Sequence, residues 1–261
     1  MKLNPTNYVR MSLPKFPIAV VTLALLSAAS VKADVVFDNM SNYEAGDTNS
    51  HVVTTGSTPN TFMGDAYVLA TGTTDITGFD LFPVNLSGTS YTGLEINIYV
   101  WGSVNTGTVN ATTPAFGDLL GSYSFSSSGA FTTGFFFPFE GSPVGSGPGF
   151  TLGTTLAIPS TTIGVSFNVQ GTTDGVNYAS INSLTSLIQY GMVPTVGSQL
   201  FNGYYRNANS EVDGNFTSTL RSLGYTDQSL GLRIFSDVPE PTTLALLGAG
   251  GVLLFLRRRR A

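Results

Sequence analysis

The chain has 261 residues, with 11 Lys/Arg against 16 Asp/Glu, a single histidine and no cysteine, which excludes disulfides, thiolate zinc sites and cysteine nucleophiles. The formal net charge of −5 hides an asymmetry: all three lysines (Lys2, Lys15, Lys32) and five of the eight arginines lie in two terminal segments. The stretch 34–237 therefore carries three arginines (Arg206, Arg221, Arg233) against fifteen carboxylates, a net −12, and repels nucleic acid.

At the N-terminus, Lys2, Arg10 and Lys15 precede an apolar run from Ile18 to Ala29, followed by Val31-Lys32-Ala33. A basic start, an apolar stretch and small residues at the −3 and −1 positions predict a secretory signal helix over 1–33, cut by signal peptidase after Ala33. Met11 would begin a more compact signal and competes with Met1 as the start. Retention as an N-terminal anchor is the alternative fate of this helix.

Residues 34–237 are long enough for one sizeable core without disulfide staples. Strands are expected over 35–38, 66–70, 76–84, 94–101, 119–126, 131–137, 162–169, 184–190, 199–205 and 230–235, although Leu184, Leu187 and Ile188 within Asn182–Tyr190 would also suit a short helix. Turn residues separate them at Ser87-Gly88, Asn105-Thr106-Gly107, Ser128-Gly129, the run 141–149, Asp174-Gly175 and Asp213-Gly214. Many short strands without a blade-length repeat indicate an all-β fold, a single β-sandwich or jelly-roll-like domain.

The clearest strand is Gly93–Trp101. Leu94, Ile96, Ile98 and Val100 point one way and must face the core; Glu95, Asn97, Tyr99 and Trp101 point the other. A carboxylate, an amide and two aromatic rings in a row suit carbohydrate: rings stack on sugar C–H groups while polar neighbours bond hydroxyls. The plainer expectation is that Tyr99 and Trp101 cover the outer sheet, pack under a loop or shield an edge. Within Thr162–Val169 the apolar set Ile163, Val165, Phe167 and Val169 opposes Thr162, Gly164, Ser166 and Asn168.

Other chemistry is thin. His51 would have to serve any Ser-His-Asp machine, yet no Gly-x-Ser-x-Gly elbow occurs, and Ser50-His51-Val52-Val53 reads as a strand start. A glycosidase needs two carboxylates across a cleft; Glu44, Glu95, Glu140 and Glu211 show no pairing signal. Asp174-Gly175 and Asp213-Gly214-Asn215 lack the alternating oxygens of an EF-hand and read as turns, although a jelly roll leaves room for a structural Ca²⁺. No cofactor is expected.

The C-terminal segment 238–261 has three parts: Pro239-Glu240-Pro241, an uncharged apolar run Thr242–Leu256, and the cluster Arg257, Arg258, Arg259 and Arg260. As a helix, the fifteen residues of the apolar run reach roughly 22 Å, short of the ~30 Å hydrocarbon core, so they form a weak anchor with the arginines on the cytoplasmic side. The two prolines hold the chain extended and accessible to a processing enzyme. This arrangement resembles the PEP-CTERM sorting signal of exported bacterial proteins. The resemblance covers only the last tenth of the chain and implies recognition by an exosortase, a membrane-embedded transpeptidase-like enzyme, in bacteria that make exopolysaccharide. An ordinary membrane anchor is the alternative.

These readings converge on a non-catalytic exported protein of the cell surface or extracellular matrix, transiently held in the membrane and processed by signal peptidase and an exosortase-type enzyme. Two rivals stand beside it: a module binding exopolysaccharide through Glu95, Asn97, Tyr99 and Trp101, and a polysaccharide hydrolase or lyase on a jelly roll.

Overall fold

A computed structural model describes residues 33–40, 50–52, 62–85, 87–110, 112–134, 139–141, 147–181, 184–189, 193–207 and 229–237. The expected signal helix and C-terminal hydrophobic helix both lie outside these residues. Lys32–Val238 forms one compact unit. Among the described residues the protein is all-β, and no helix is long and apolar enough to cross a membrane.

In chain order the strands are β1 (Ala33–Asp38), β2 (Ser50–Val52), β3 (Phe62–Val68), β4 (Asp75–Leu81) and β5 (Pro83–Asn85). The two longest follow, β6 (Tyr91–Val104) and β7 (Phe116–Phe131), then β8 (Phe150–Ala157) and β9 (Thr162–Thr172). The remainder are β10 (Ala179–Ser180), β11 (Leu184–Gln189), β12 (Ser198–Gln199), β13 (Tyr205–Asn207) and β14 (Leu232–Asp237). One sheet has the order β1-β14-β4-β8; a larger one runs β12-β3-β9-β6-β7, with β10 beside β9 and β13 beside β3; a small third sheet runs β2-β11-β5. Every pairing is antiparallel.

The first two sheets share one hydrophobic core. Phe37, Ile76, Phe79, Leu81, Leu232 and Ile234 from the four-stranded sheet join Tyr67, Leu94, Ile96, Ile98, Val100, Ile163, Val165 and Phe167 from the larger one. The alternation in β6 places its apolar residues as its sequence predicts: Leu94, Ile96, Ile98 and Val100 are all buried in this core. Strand β9, between β3 and β6, is buried on both faces, so Gly164, Ser166 and Asn168 are enclosed along with Ile163, Val165 and Phe167.

Several sequence boundaries shift for identifiable reasons. The span 76–84 breaks at Phe82 into β4 and β5, and 199–205 breaks into β12 and β13, both pairing with β3. Within the span 184–190, Leu184–Gln189 is strand, not helix. Phe131 closes β7 instead of opening a new strand; Thr133-Gly134 then turn, and residues 135–138 lie outside the described set. Strand β8 escaped the sequence reading because Gly153 interrupts its pattern. The pairing of β8 with β4 shifts register between Ile76 and Gly78, and opposite that shift Gly153 takes φ +76°, a conformation glycine adopts without strain.

The core register yields a direct test. Ile98→Ala removes a fully buried side chain and is expected to destabilise the fold by about 2–5 kcal/mol, whereas Ser122→Ala on the exposed face of β7 stays within about 0.5 kcal/mol. Denaturant melts in the opposite order would displace β6 by one residue.

Candidate functional site

The residues singled out for carbohydrate contact occupy the outer face of the larger sheet, and the structure separates them. Trp101 is only 4% exposed. Its indole Nε1 donates to Ser166 Oγ on β9 at 2.9 Å, and its ring stacks on Phe116 with centroids 6.1 Å apart. Phe62, Ala66, Val109, Ala115, Phe116 and Tyr205 complete a second apolar cluster around it. The loop between β6 and β7 brings in Val109 and Ala115 and is pinned by Asn105 N–H donating to Ala115 O at 2.8 Å and by paired bonds between Asn110 and Thr113. Gly164 makes room for this cluster, since a Cβ there would lie 2.4 Å from the Phe116 ring. Trp101 as a sugar-stacking platform is therefore corrected: its ring is sealed beneath a loop and saturated by Ser166.

The other three members are only partly enclosed. Tyr99 lies edge-on to Phe62, with centroids 5.8 Å apart. Asn97 Nδ2 donates to Asn168 Oδ1 at 3.0 Å and to Glu95 Oε1 at 3.3 Å, while Ser124 Oγ donates to Asn97 Oδ1. Asn97 thus bridges β7, β6 and β9 laterally, its amide already committed to protein partners. Beyond it, β7 presents Ser122, Ser124, Ser126 and Ser128 to solvent. The outer face combines a polar stripe with a closed aromatic patch.

The strongest electrostatics lie elsewhere, at positions the sequence reading did not single out. Arg233 on β14 stands directly between Asp38 on β1 and Asp80 on β4 in the strand register. Its Nε lies 3.2 Å from Asp38 Oδ2, and its Nη1 lies 2.8 Å from Asp80 Oδ2 and 3.0 Å from Glu140 Oε1. The Phe82 ring lies 5.7 Å below the guanidinium. Burial pushes the Asp80 carboxyl above its ordinary range, opposed by the Gly149 N–H and by Arg233. Burial alone would lower the Arg233 pKa, but Asp38, Asp80 and Glu140 reverse that and raise it. The signal was present in the sequence: Arg233 is the one charge in Leu232-Arg233-Ile234-Phe235.

A third buried carboxylate, Asp65, is held by backbone donors. Its oxygens accept from Ala66 N–H at 2.7 Å and Leu230 N–H at 3.0 Å. Complete burial raises its pKa well above the ordinary value despite those two donors. Burial and the Asp65 charge likewise raise the Tyr67 phenol, and push Tyr205 up to about 12. Asn39 supports the same stretch, donating to Leu230 O at 3.0 Å and accepting from Leu232 N–H at 2.9 Å.

Of the remaining candidates, Glu140 is engaged by Arg233 and Glu95 by Asn97, while Glu44 and Glu211 lie outside the described residues. His51 sits in β2 opposite Ile188. Asp174 closes a turn: its carboxylate accepts from Val176 N–H, Asn177 N–H, Thr172 Oγ1 and Asn177 Nδ2 at 2.6–2.9 Å, which lowers its pKa. Asp213-Gly214-Asn215 lies outside the described residues, among which no group of three or more His, Cys, Asp or Glu could hold a metal ion.

Ala33 is the first residue of β1 and pairs with Asp237, the last of β14. Pro239, Glu240, Pro241 and Arg257–Arg260 follow outside the described residues. The family model of the PEP-CTERM protein-sorting motif matches residues 237–260. The chain carries a PEP-CTERM sorting signal. The PEP-CTERM match begins on the final residue of β14, so the folded body and the signal meet at Asp237. No curated protein and no solved structure matches this chain.

Two predictions follow from the buried charges. Arg233→Met keeps the aliphatic length but strands Asp38, Asp80 and Glu140 around an uncharged side chain, and equilibrium unfolding is expected to show a loss of about 3–5 kcal/mol. The Asp65 carboxyl is raised in the folded state, so folding favours its protonated form. That contribution is full below the unfolded value of about 3.9 and is lost as pH rises through the folded value. Asp174 acts oppositely, but its contribution fades only below that same pH. Stability is thus expected to rise on acidification from neutral to about pH 4, and to rise less in Asp65→Asn, as read by denaturant melts across that range.

Proposed function

We propose that this is a non-catalytic protein of the cell surface or extracellular matrix, whose body is a jelly-roll-like β-sandwich and whose tail directs processing. The observation that carries the reading is the position of the PEP-CTERM motif. It starts where the last strand of the compact unit ends, so the tail can be removed without taking any core residue with it. In this reading signal peptidase cuts after Ala33, the Thr242–Leu256 run holds the protein in the membrane for a time, and an exosortase-type enzyme acts at Pro239-Glu240-Pro241.

The body fits a structural role. Its buried carboxylates are spent on Arg233 and on the backbone of 230, and its outer-face amide Asn97 on neighbouring strands. Recognition of exopolysaccharide through the same face would have to rely on Glu95, Asn97 and Tyr99 without the Trp101 ring, which leaves it the weaker reading.

Intact-mass measurement on protein recovered from a host that exports it tests the processing. The expected product lacks both residues 1–33 and the arginine cluster Arg257–Arg260; an exported product that retains the cluster overturns the sorting role of the tail.

A further inference from the structure

The two processing points of the proposed reading meet the fold differently. The bond after Ala33 falls inside a strand: Ala33 pairs with Asp237 and Asp34 with Ser236, the first rungs of the β1–β14 ladder. Pro239-Glu240-Pro241 instead follows the last residue of β14 in the chain. The rungs at Ala33 and Asp34 are braced from the far side of β14, where Asp75 Oδ1 accepts from Ser236 Oγ at 2.6 Å and from Asp237 N–H at 3.1 Å. Only Asp34 and Val35 separate the bond from Val36 and Phe37, both buried in the main core. Phe37 lies edge-on to Tyr67 with ring centroids 4.7 Å apart, and Val36 O accepts from Ala70 N–H at 2.8 Å.

A protease takes its substrate as an extended segment whose backbone bonds to the enzyme on either side of the bond to be cut. In the folded body that backbone is already paired with β14. Drawing the Ala33–Asp34 bond into a cleft therefore means lifting the start of β1 off β14 and pulling on Val36 and Phe37 in the core. Among the described residues β14 is the one strand that pairs with β1, and it is the last strand in chain order. In a chain exported N-terminus first, β1 waits for that partner until the whole body has followed. Until then the bond stays open to an enzyme.

We propose that the docking of β14 closes the signal-peptide bond to hydrolysis, which places the cut after Ala33 before completion of the smaller sheet. This inference rests on the reading that signal peptidase cuts after Ala33. In that cut a water oxygen bonds to the Ala33 carbonyl carbon and the C–N bond to Asp34 breaks. The products are a carboxylate on Ala33 and an ammonium on Asp34. Asp34 keeps its place opposite Ser236, and only the Ala33–Asp237 rung is lost. The fold thereby orders the two processing steps. The first needs β1 free of β14, whereas the C-terminal motif lies past the last rung and is open to its enzyme after the body has closed.

The test takes the full chain with its signal attached, purified in folded form in detergent, and adds purified signal peptidase, with the product followed by intact mass. The folded chain is expected to be cut at least about tenfold more slowly than the same chain added straight from denaturant, because cleavage of a closed segment tracks the small fraction that has opened. A second protein carries a short Gly/Ser spacer between Ala33 and Asp34, which moves the bond off the ladder and leaves β1 whole from Asp34 onward. Its folded form, checked by circular dichroism, is expected to be cut as fast as the unfolded wild type. A folded wild type cut as fast as its unfolded form overturns the proposal and leaves the cleavage reading standing. A folded spacer protein as slow as the folded wild type overturns it as well, since the ladder is then not what protects the bond. A chain left uncut at Ala33 even when unfolded overturns the cleavage reading and the proposal with it.

Discussion

One buried guanidinium sets the register of the smaller sheet. Asp38, Arg233 and Asp80 form a lateral row across β1, β14 and β4, with Glu140 closing the row from outside the sheet. Sliding either neighbour by one residue would leave a carboxylate or the arginine buried without its partner, and an isolated buried charge costs several kcal/mol. The row thereby also fixes Leu232 and Ile234, the residues flanking Arg233, against the main core. Asp65 and Asn39 prepare the approach to β14 by holding the backbone of Leu230 and Leu232. The last strand is clamped by side chains from β1, β3 and β4 and from the turn after β1.

What the sequence made legible follows from how local each signal is. Alternation over Leu94–Val100 reports the pleat of one strand, which is a local property, and the structure places those residues as the pattern requires. The fate of Trp101 was not local. Parity says that it leaves the main core; whether it meets water depends on where the loop carrying Val109 and Ala115 lands, and on Phe116 finding space over Gly164. Asn97 likewise reads as an exposed amide until β7 and β9 bring Ser124 and Asn168 beside it. Strand β8 was hidden by its own bulge. The tail was the most legible part, because Pro-Glu-Pro, the apolar run and the arginine cluster are read in order along the chain without any tertiary context.

The body meets the absence of disulfides by making polar side chains structural. Asn85 shows the pattern on a small scale: its Nδ2 donates to Thr89 O and Phe131 O, and its Oδ1 accepts from Ser87 N–H and Ser87 Oγ. One buried amide therefore closes a turn and fastens it to the far end of β7. Asn39, Asn97 and Asp174 do the same in other places, and together they explain why a chain so rich in Asn, Ser and Thr can still enclose a continuous core.

The pairing of β14 with both β1 and β4 has a mechanical consequence. A pull directed along β14 from its C-terminal end would enter the body at Asp237, in a strand that has a strand on each side. Force in that direction loads the flanking hydrogen bonds in parallel, as shear, together with the Arg233 contacts and the bonds from Asp75 to Ser236 and Asp237. A terminal strand at an open edge pulled from the side would instead peel away one bond at a time. A body hung by this end is held through a strand that has a ladder partner on each side.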